Sequence, residues 1–315
     1  MLPNRLKVLT MIIKAIINPK SKNGTNCSIE SILKQMFYSH NLDIEKTNYP
    51  GHATEITRRF VQDNVDMIIV AGGDGTVNEV LNGLIGREIP LGIIPSGTAN
   101  DLACQHNIPS NIANACEIIH QQYIKQVDLV CVNGHYYATA GGIGLPSEVA
   151  RIANKIKNNY TFGHLLAKIL GSKLYILALI CAFLNKNVFG SSLVIYGKKG
   201  LEKVYALFLM LNNQPFLGKN FLVSPGAIND DGKIDICLVK HPNNHLKILK
   251  ILLKILSGKH ITMPIVKAWK TKSLKIKTDK PTTFLADGEL YQNIAEFKIR
   301  IIPQALSLII PAPSL

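Results

Sequence analysis

Gly72-Gly73-Asp74-Gly75-Thr76 sets one carboxylate among three glycines and a hydroxyl. It follows Asp66–Val70, a short apolar run of the kind that forms a buried parallel strand. It precedes Val77, Val80, Leu81 and Leu84, which carry helical spacing. A strand that runs through glycines into a helix N-terminus presents backbone amides to a ligand, and such amides hold phosphate. A lone carboxylate beside phosphate repels it unless a cation lies between them. Asp74 therefore points to a nucleotide bound with Mg²⁺. Thr76 and Glu79 have capping-box spacing, which gives them a part in starting the helix.

Pro95-Ser96-Gly97-Thr98-Ala99-Asn100-Asp101 repeats the device after the strand Ile89–Ile94 and opens a helix over Ala99–Gln105. Gly97 permits close approach, Thr98 can bond phosphate or cap a helix, and Asn100 and Asp101 add polar groups. A third candidate is Asp287-Gly288-Glu289, a carboxylate pair around a glycine. A fourth is Asn18-Pro19 with Ser21 and Gly24, where the first strand ends. Each has a plain structural explanation too: a glycine turn builds any βα unit, Asp-Gly makes hairpins, and Glu79 can serve only as a cap. Two phosphate-suited turns in one sheet, each with an acidic residue, favour chemistry. No G-x-x-x-x-G-K-[ST] loop and no H-R-D run occurs, which argues against a P-loop or protein-kinase enzyme.

These motifs need a frame. Lys7–Ile17, Asp66–Val70 and Ile89–Ile94 read as strands, with helices over Ile29–His40, Thr76–Leu84, Ala99–Gln105 and Ile112–Gln121. That alternation predicts βαβ units and a parallel sheet, with ligands bound beyond the carboxyl ends of its strands. After about Asp128 the rhythm changes to short apolar runs: Asp128–Val132, Tyr136–Ala140, Ser192–Tyr196, Val204–Leu211, Ile234–Val239 and Ser273–Lys277. Turn signals at Asn133-Gly134, Asn229–Gly232 and Asp287-Gly288 separate them, so this half reads as a mostly antiparallel sandwich. Helices are expected near Phe162–Leu184 and His245–Leu256.

The chain has 315 residues, enough for two domains, and its net charge of +14 favours an anionic partner: nucleic acid, a nucleotide or an acidic membrane surface. Its six cysteines are scattered without a C-x-x-C pair and read as reduced thiols. Met1–Lys20 reads as a first strand and not as an export signal, and Leu174–Leu184 is too short to span a bilayer.

The three motifs Gly72–Thr76, Pro95–Asp101 and Asp287–Glu289 occur in the order and spacing of the diacylglycerol kinase catalytic-domain family. The chain most resembles its bacterial soluble lipid kinase branch, related to sphingosine kinases, from Asn18-Pro19 to Pro303…Pro311. Gly-Gly-Asp-Gly-Thr alone is shared with NAD kinases and, loosely, phosphofructokinases; the three motifs together are specific. The resemblance implies an α/β protein. On that resemblance residues 1–128 would form a parallel-sheet nucleotide-binding domain of NAD kinase or phosphofructokinase type, to which 302–315 would return. Residues 129–301 would form a β-sandwich lipid-substrate domain, with ATP expected in the cleft between the two.

It further implies ATP and Mg²⁺ as cofactors, and transfer of the γ-phosphoryl group to a lipid hydroxyl. Diacylglycerol is the leading acceptor; phosphatidylglycerol, a monoacylglycerol and a long-chain base stay open. Asn18, Pro19, Lys20, Ser21, Lys22 and Thr54 would line the nucleotide site, with Gly72, Gly73, Asp74, Gly75, Thr76, Val77, Asn78, Glu79, Gly97, Thr98 and Asn100. Asp74 and Asp101 resemble the carboxylates that act through catalytic Mg²⁺. Asp287, with Glu289 close behind, resembles the base that accepts the lipid hydroxyl proton. The turn Ile228–Lys233 resembles a structural Mg²⁺ loop, with the Asp231 side chain joined by the carbonyls of Ile228 and Lys233. One departure concerns the first loop, where glycine follows Asn23 instead of standing nearer the serine. Rival readings are an NAD kinase-like small-molecule kinase and a catalytically silent lipid- or nucleotide-binding protein. The expected partner is a lipid at a membrane surface, not nucleic acid, with a homodimer left open. The expected location is cytoplasmic, peripheral at the inner membrane face, with His245–Leu256 as a basic amphipathic helix.

Overall fold

The computed structural model describes residues 10–21, 26–158, 173–184, 190–197, 200–218, 220–242 and 244–313. Contacts divide the chain into two compact units, residues 1–126 with 305–315, and residues 127–304.

The first unit is a parallel sheet. Strands β1 (Ile12–Ile17), β3 (Met67–Gly72) and β4 (Leu91–Pro95) are its centre, and nearly every residue in them is buried. Such β-branched runs suit strands covered on both faces. β3 lies between β1 and β4, and β1 pairs outward with β2 (Asn41–Lys46). On the other edge Leu308 of the returning segment pairs in parallel with Leu91. β2 (NLDIEK) is half exposed and polar, as an edge strand can be, and for that reason no apolar run announces it. The helix His52–Phe60 likewise escapes the eye. It is one of the shorter helices and polar on average, yet buries Ala53, Ile56, Thr57 and Phe60.

Other boundaries shift. The first helix is Asn26–Met36, not Ile29–His40, and the helix after the first glycine turn begins at Asp74, ahead of Thr76. The second turn opens its helix at Asp101, two residues after the expected start. Residues 7–9 of the expected first strand, and Phe162–Gly171 and Ser172 of the expected helix, lie outside the described residues; Lys173–Leu184 is helical.

The second unit is antiparallel. Its sheet runs β8 (Val266–Thr271), β7 (Ile234–Lys240), β6 (Gly200–Asn212), β5 (Ala140–Gly144), β9 (Ser273–Ala286) and β10 (Glu289–Ile309). Alternation sorts side chains to two cores. Leu209 and Leu211 of β6, with Ile234, Ile236 and Leu238 of β7, join one cluster together with Tyr137, Phe284 and Phe297. Phe208 and Met210, with Cys237 and Val239, face the other cluster, where Ile248, Ile251 and Ile255 of the helix His245–Ile255 pack. The sheet is therefore buried on both faces, one of them under the helix His245–Ile255. Among the described residues no helix is long and apolar enough to cross a membrane.

Candidate functional site

In the first unit the two glycine turns press on each other. A Cβ on Gly97 would stand 2.4 Å from the Cα of Gly73, and one on Gly73 would stand 3.0 Å from the Cα of Gly97. This backbone-to-backbone contact leaves no room for a side chain at Gly97 and little at Gly73. Asp74 ties the turns together: its carboxylate accepts the backbone N–H of Asn100 at 2.9 Å and of Asp101 at 2.6 Å. Asn100, in the left-handed region at φ 53°, closes the second turn by accepting the Gly97 N–H at 2.9 Å. We expect Gly97→Ala to force the turns apart at a cost of about 1–3 kcal/mol. Thermal melting would fall and nucleotide affinity would fall with it; an unchanged nucleotide affinity would disprove the role of this contact.

The β1 end joins the same place. Asn18 Nδ2 donates to Thr76 Oγ1 at 2.8 Å, Asn18 Oδ1 accepts the Lys20 N–H at 2.9 Å, and Ser96 Oγ donates to Ser21 Oγ at 2.9 Å. The helix Asp74–Leu84 has Gly73 as its N-cap and no side-chain cap, and Gly73, Asp74 and Gly75 are half-buried at this end. Thr76 therefore sits inside the helix and not at its cap. Glu79 does cap a helix, though a different one. Its two oxygens accept the N–H groups of Gly51 at 2.8 Å and Ala53 at 3.0 Å, while its carbonyl accepts Thr54 Oγ1 at 2.8 Å. Glu79 thus positions the 51–54 turn that carries Thr54. Val77 and Asn78 are buried, Thr98 is exposed beside Gly97, Pro19 is half-buried, and Lys22 lies outside the described residues.

In the second unit Asp287 and Gly288 form the two-residue turn between β9 and β10, at φ 47° and 85°. Positive φ at both positions suits an Asp-Gly pair. The turn is therefore the hairpin that its sequence suggests, and it is anchored beyond that. Asp287 accepts the N–H of Ala138 at 3.0 Å, the N–H of Thr139 at 2.9 Å and Thr139 Oγ1 at 2.5 Å, and its own N–H donates to Ala140 O at 3.1 Å. Glu289, by contrast, is exposed at the start of the next strand. Burial, then the charges of Asp287 and Glu289, push the Tyr291 phenol up to about 12.

The Ile228–Lys233 turn is arranged differently from a metal loop. Asp231 Oδ1 accepts the Lys233 N–H at 3.0 Å, and its Oδ2 accepts the Lys270 ammonium at 2.8 Å. Lys270 also donates to Gly226 O at 3.0 Å and lies 3.3 Å from Asp235. The Lys270 ammonium thus pairs with the Asp231 carboxylate in this turn. Burial raises the Asp235 carboxyl to about 6, with Lys270 opposing it. A raised folded pKa favours the protonated folded state, so this group's contribution to stability is full below about pH 4 and fades as the pH rises through about 6. Asp235→Asn should flatten the pH dependence of thermal melting across that window; an unchanged slope would refute it.

Among the described residues no cluster of three or more His, Cys, Asp or Glu could hold a metal by itself. Mg²⁺ that arrives with a nucleotide needs only one or two carboxylates beside the phosphates. Asp74 fits that need, because two amides fix the aim of its carboxylate.

Three supporting residues escape a reading of the sequence. Asp128, fully buried, accepts the Gly232 N–H at 2.6 Å and the Gln304 N–H at 2.8 Å, which clamps the 229–232 turn and the chain's exit from this unit. Asn213, also fully buried, donates to Asp128 O at 2.7 Å and Ala138 O at 2.9 Å. Thr139 holds Asp287. The only signal was a polar residue at the edge of an apolar run, as in Asp128-Leu129 and Leu211-Asn212-Asn213.

Residues 13–132 match the model of the diacylglycerol kinase catalytic domain. Residues 143–310 match that of the YegS C-terminal NAD kinase beta sandwich-like domain. A diacylglycerol kinase of Staphylococcus carnosus (strain TM300) is 31% identical over 248 residues, 77% of this chain and 76% of that protein. A diacylglycerol kinase of Mycobacterium tuberculosis is 27% identical over 95% of each chain. A crystal structure from Bacillus anthracis str. Sterne, of a protein provisionally assigned as a diacylglycerol kinase, superposes with a TM-score of 0.76 at 27% identity, covering 98% of both chains. With paired glycine turns in a parallel sheet, an anchored Asp-Gly-Glu hairpin on a β-sandwich, and matches across both halves, the chain belongs to the diacylglycerol kinase catalytic-domain family and is a lipid kinase.

Proposed function

We propose that the protein transfers the γ-phosphoryl group of ATP to the free hydroxyl of diacylglycerol, giving phosphatidic acid, with Mg²⁺ as the companion ion. The observation that carries this reading is the joint held by Asp74, where two glycine turns and an uncapped helix N-terminus meet at one carboxylate. Backbone amides at that joint suit the phosphates, and phosphoryl transfer asks mainly for positioning and charge neutralisation. Asn18, Thr76, Ser21 and Ser96 hold the loops around it. When bound, Mg²⁺ would screen the phosphates from Asp74 and draw charge from the transferred group. Asp101 contributes its amide to the joint and a second carboxylate beside it.

On the acceptor side a primary alcohol is a poor nucleophile, and Asp287 is the base we assign to it. Its turn sits on paired strands and its carboxylate is fixed by Thr139 and Ala138, so its aim does not depend on a flexible side chain. Because the acceptor is dissolved in a bilayer, the enzyme works as a peripheral protein at the cytoplasmic membrane face, where its +14 charge suits anionic lipid. The test is pure protein with ATP, Mg²⁺ and micelles of diacylglycerol, a monoacylglycerol, phosphatidylglycerol or a long-chain base. Diacylglycerol should give the highest kcat/KM. Transfer to NAD with none to any lipid would overturn the proposal.

A further inference from the structure

The helix His245–Ile255 presents three rows of side chains. Ile248, Ile251 and Ile255 are buried in the core of the second unit. Leu246, Leu249, Leu253 and Leu256 form a second row that remains exposed, at 75%, 45%, 59% and 50%. Lys247, Lys250 and Lys254 form a third. At 100° per residue the three rows lie roughly 120° apart around the axis. One apolar row is enough to seat the helix on its sheet, so folding does not require the leucines. Scattered exposed leucines need no explanation, but four in register on one helix do. The lysines flank them. No acidic residue occurs between Asp235 and Asp279, a stretch that holds ten lysines.

We infer that this helix is the membrane-docking element of the enzyme: Leu246, Leu249, Leu253 and Leu256 enter the acyl boundary of an anionic bilayer while Lys247, Lys250 and Lys254 meet lipid phosphates. An apolar row beside a basic row is the pattern of helices that lie in a lipid interface. The long lysine stems reach along apolar surface and keep their ammonium groups at the phosphates. A second copy of the chain fits less well. A two-fold contact through the leucines would set the row Lys247, Lys250 and Lys254 beside its duplicate. The inference rests on the reading that the enzyme meets its acceptor at a bilayer.

Flotation with vesicles, in the absence of ATP, tests it. The wild-type protein should bind phosphatidylglycerol–phosphatidylcholine vesicles and bind phosphatidylcholine alone far more weakly. L249Q/L253Q should bind the anionic vesicles roughly tenfold or more weakly, since two exposed leucines no longer transfer to lipid. K247Q/K250Q should weaken binding several-fold and reduce its sensitivity to salt. In a Trp269→Phe background, Leu253→Trp should shift its emission to the blue on anionic vesicles. L249Q/L253Q should keep wild-type turnover on a water-soluble short-chain acceptor. Wild-type vesicle binding by L249Q/L253Q, an unshifted tryptophan, or an equal loss on the soluble acceptor would each overturn the inference. So would a wild-type dimer in sedimentation that L249Q/L253Q converts to a monomer, for then a second copy covers the leucines. If no lipid is phosphorylated by any form while binding still depends on the leucines, docking stands and the proposed reaction falls.

Discussion

Asp287→Asn should lower phosphoryl transfer to a lipid acceptor by about 10³-fold, within the 10²–10⁴ range for a lost general base, while ATP binding changes little. The substitution keeps the fold for a physical reason. Asn tolerates positive φ nearly as well as Asp, so the 287–288 turn at φ 47° and 85° survives. What is lost is a charged acceptor of three donors, at a stability cost of about 1–3 kcal/mol. Thr139→Val separates aim from basicity. It removes the hydroxyl at 2.5 Å but keeps the Thr139 N–H, so turnover should fall by about tenfold, with kcat changing more than KM. Steady-state kinetics on mixed micelles and calorimetry of a non-hydrolysable ATP analogue read the two effects apart. Near-normal turnover in Asp287→Asn would move the base to exposed Glu289.

The second large effect belongs to the other unit. Asp74→Asn should cost about 10²-fold or more in kcat/KM and should weaken ATP binding as well. The amide accepts at one atom only, so one of the Asn100 and Asp101 N–H groups would then face a donor. The charge opposite the nucleotide's cation is removed at the same time. Gly97→Ala tests the turn contact without touching that charge. Loss of nucleotide affinity in both variants, with loss of Mg²⁺ dependence confined to Asp74→Asn, would assign the carboxylate to the ion and the glycines to the phosphates. Full Mg²⁺-dependent turnover in Asp74→Asn would overturn this assignment.

Legibility in the sequence followed burial. β3 and β4 are apolar throughout and were readable as strands; β2, polar and at an edge, was not. The helix His52–Phe60 was missed for the same reason, since its apolar positions are few and only packing shows that they face inward. Glu79 is instructive in another way. Its spacing from Thr76 suggested a local capping box, but its carboxylate crosses to Gly51 and Ala53. Capping preferences state which groups can satisfy an open amide, not which helix end will be nearest.

By itself the sequence determined the class of the protein and the chemical types at its candidate site. Glycines at 73 and 97, an acidic residue within each turn, and Asp-Gly-Glu late in the chain follow from local rules about turns, charge and phosphate. Only the tertiary structure decided how those residues are used. It set Gly73 against Gly97, gave both oxygens of Asp74 to amides across the turn, and turned Lys270 onto Asp231. It also divided one apolar helix into a buried isoleucine row and an exposed leucine row. These outcomes depend on which groups compete for the same partner in space, and residues such as Asp128 and Gln304, 176 positions apart, can enter that competition only once the chain has folded.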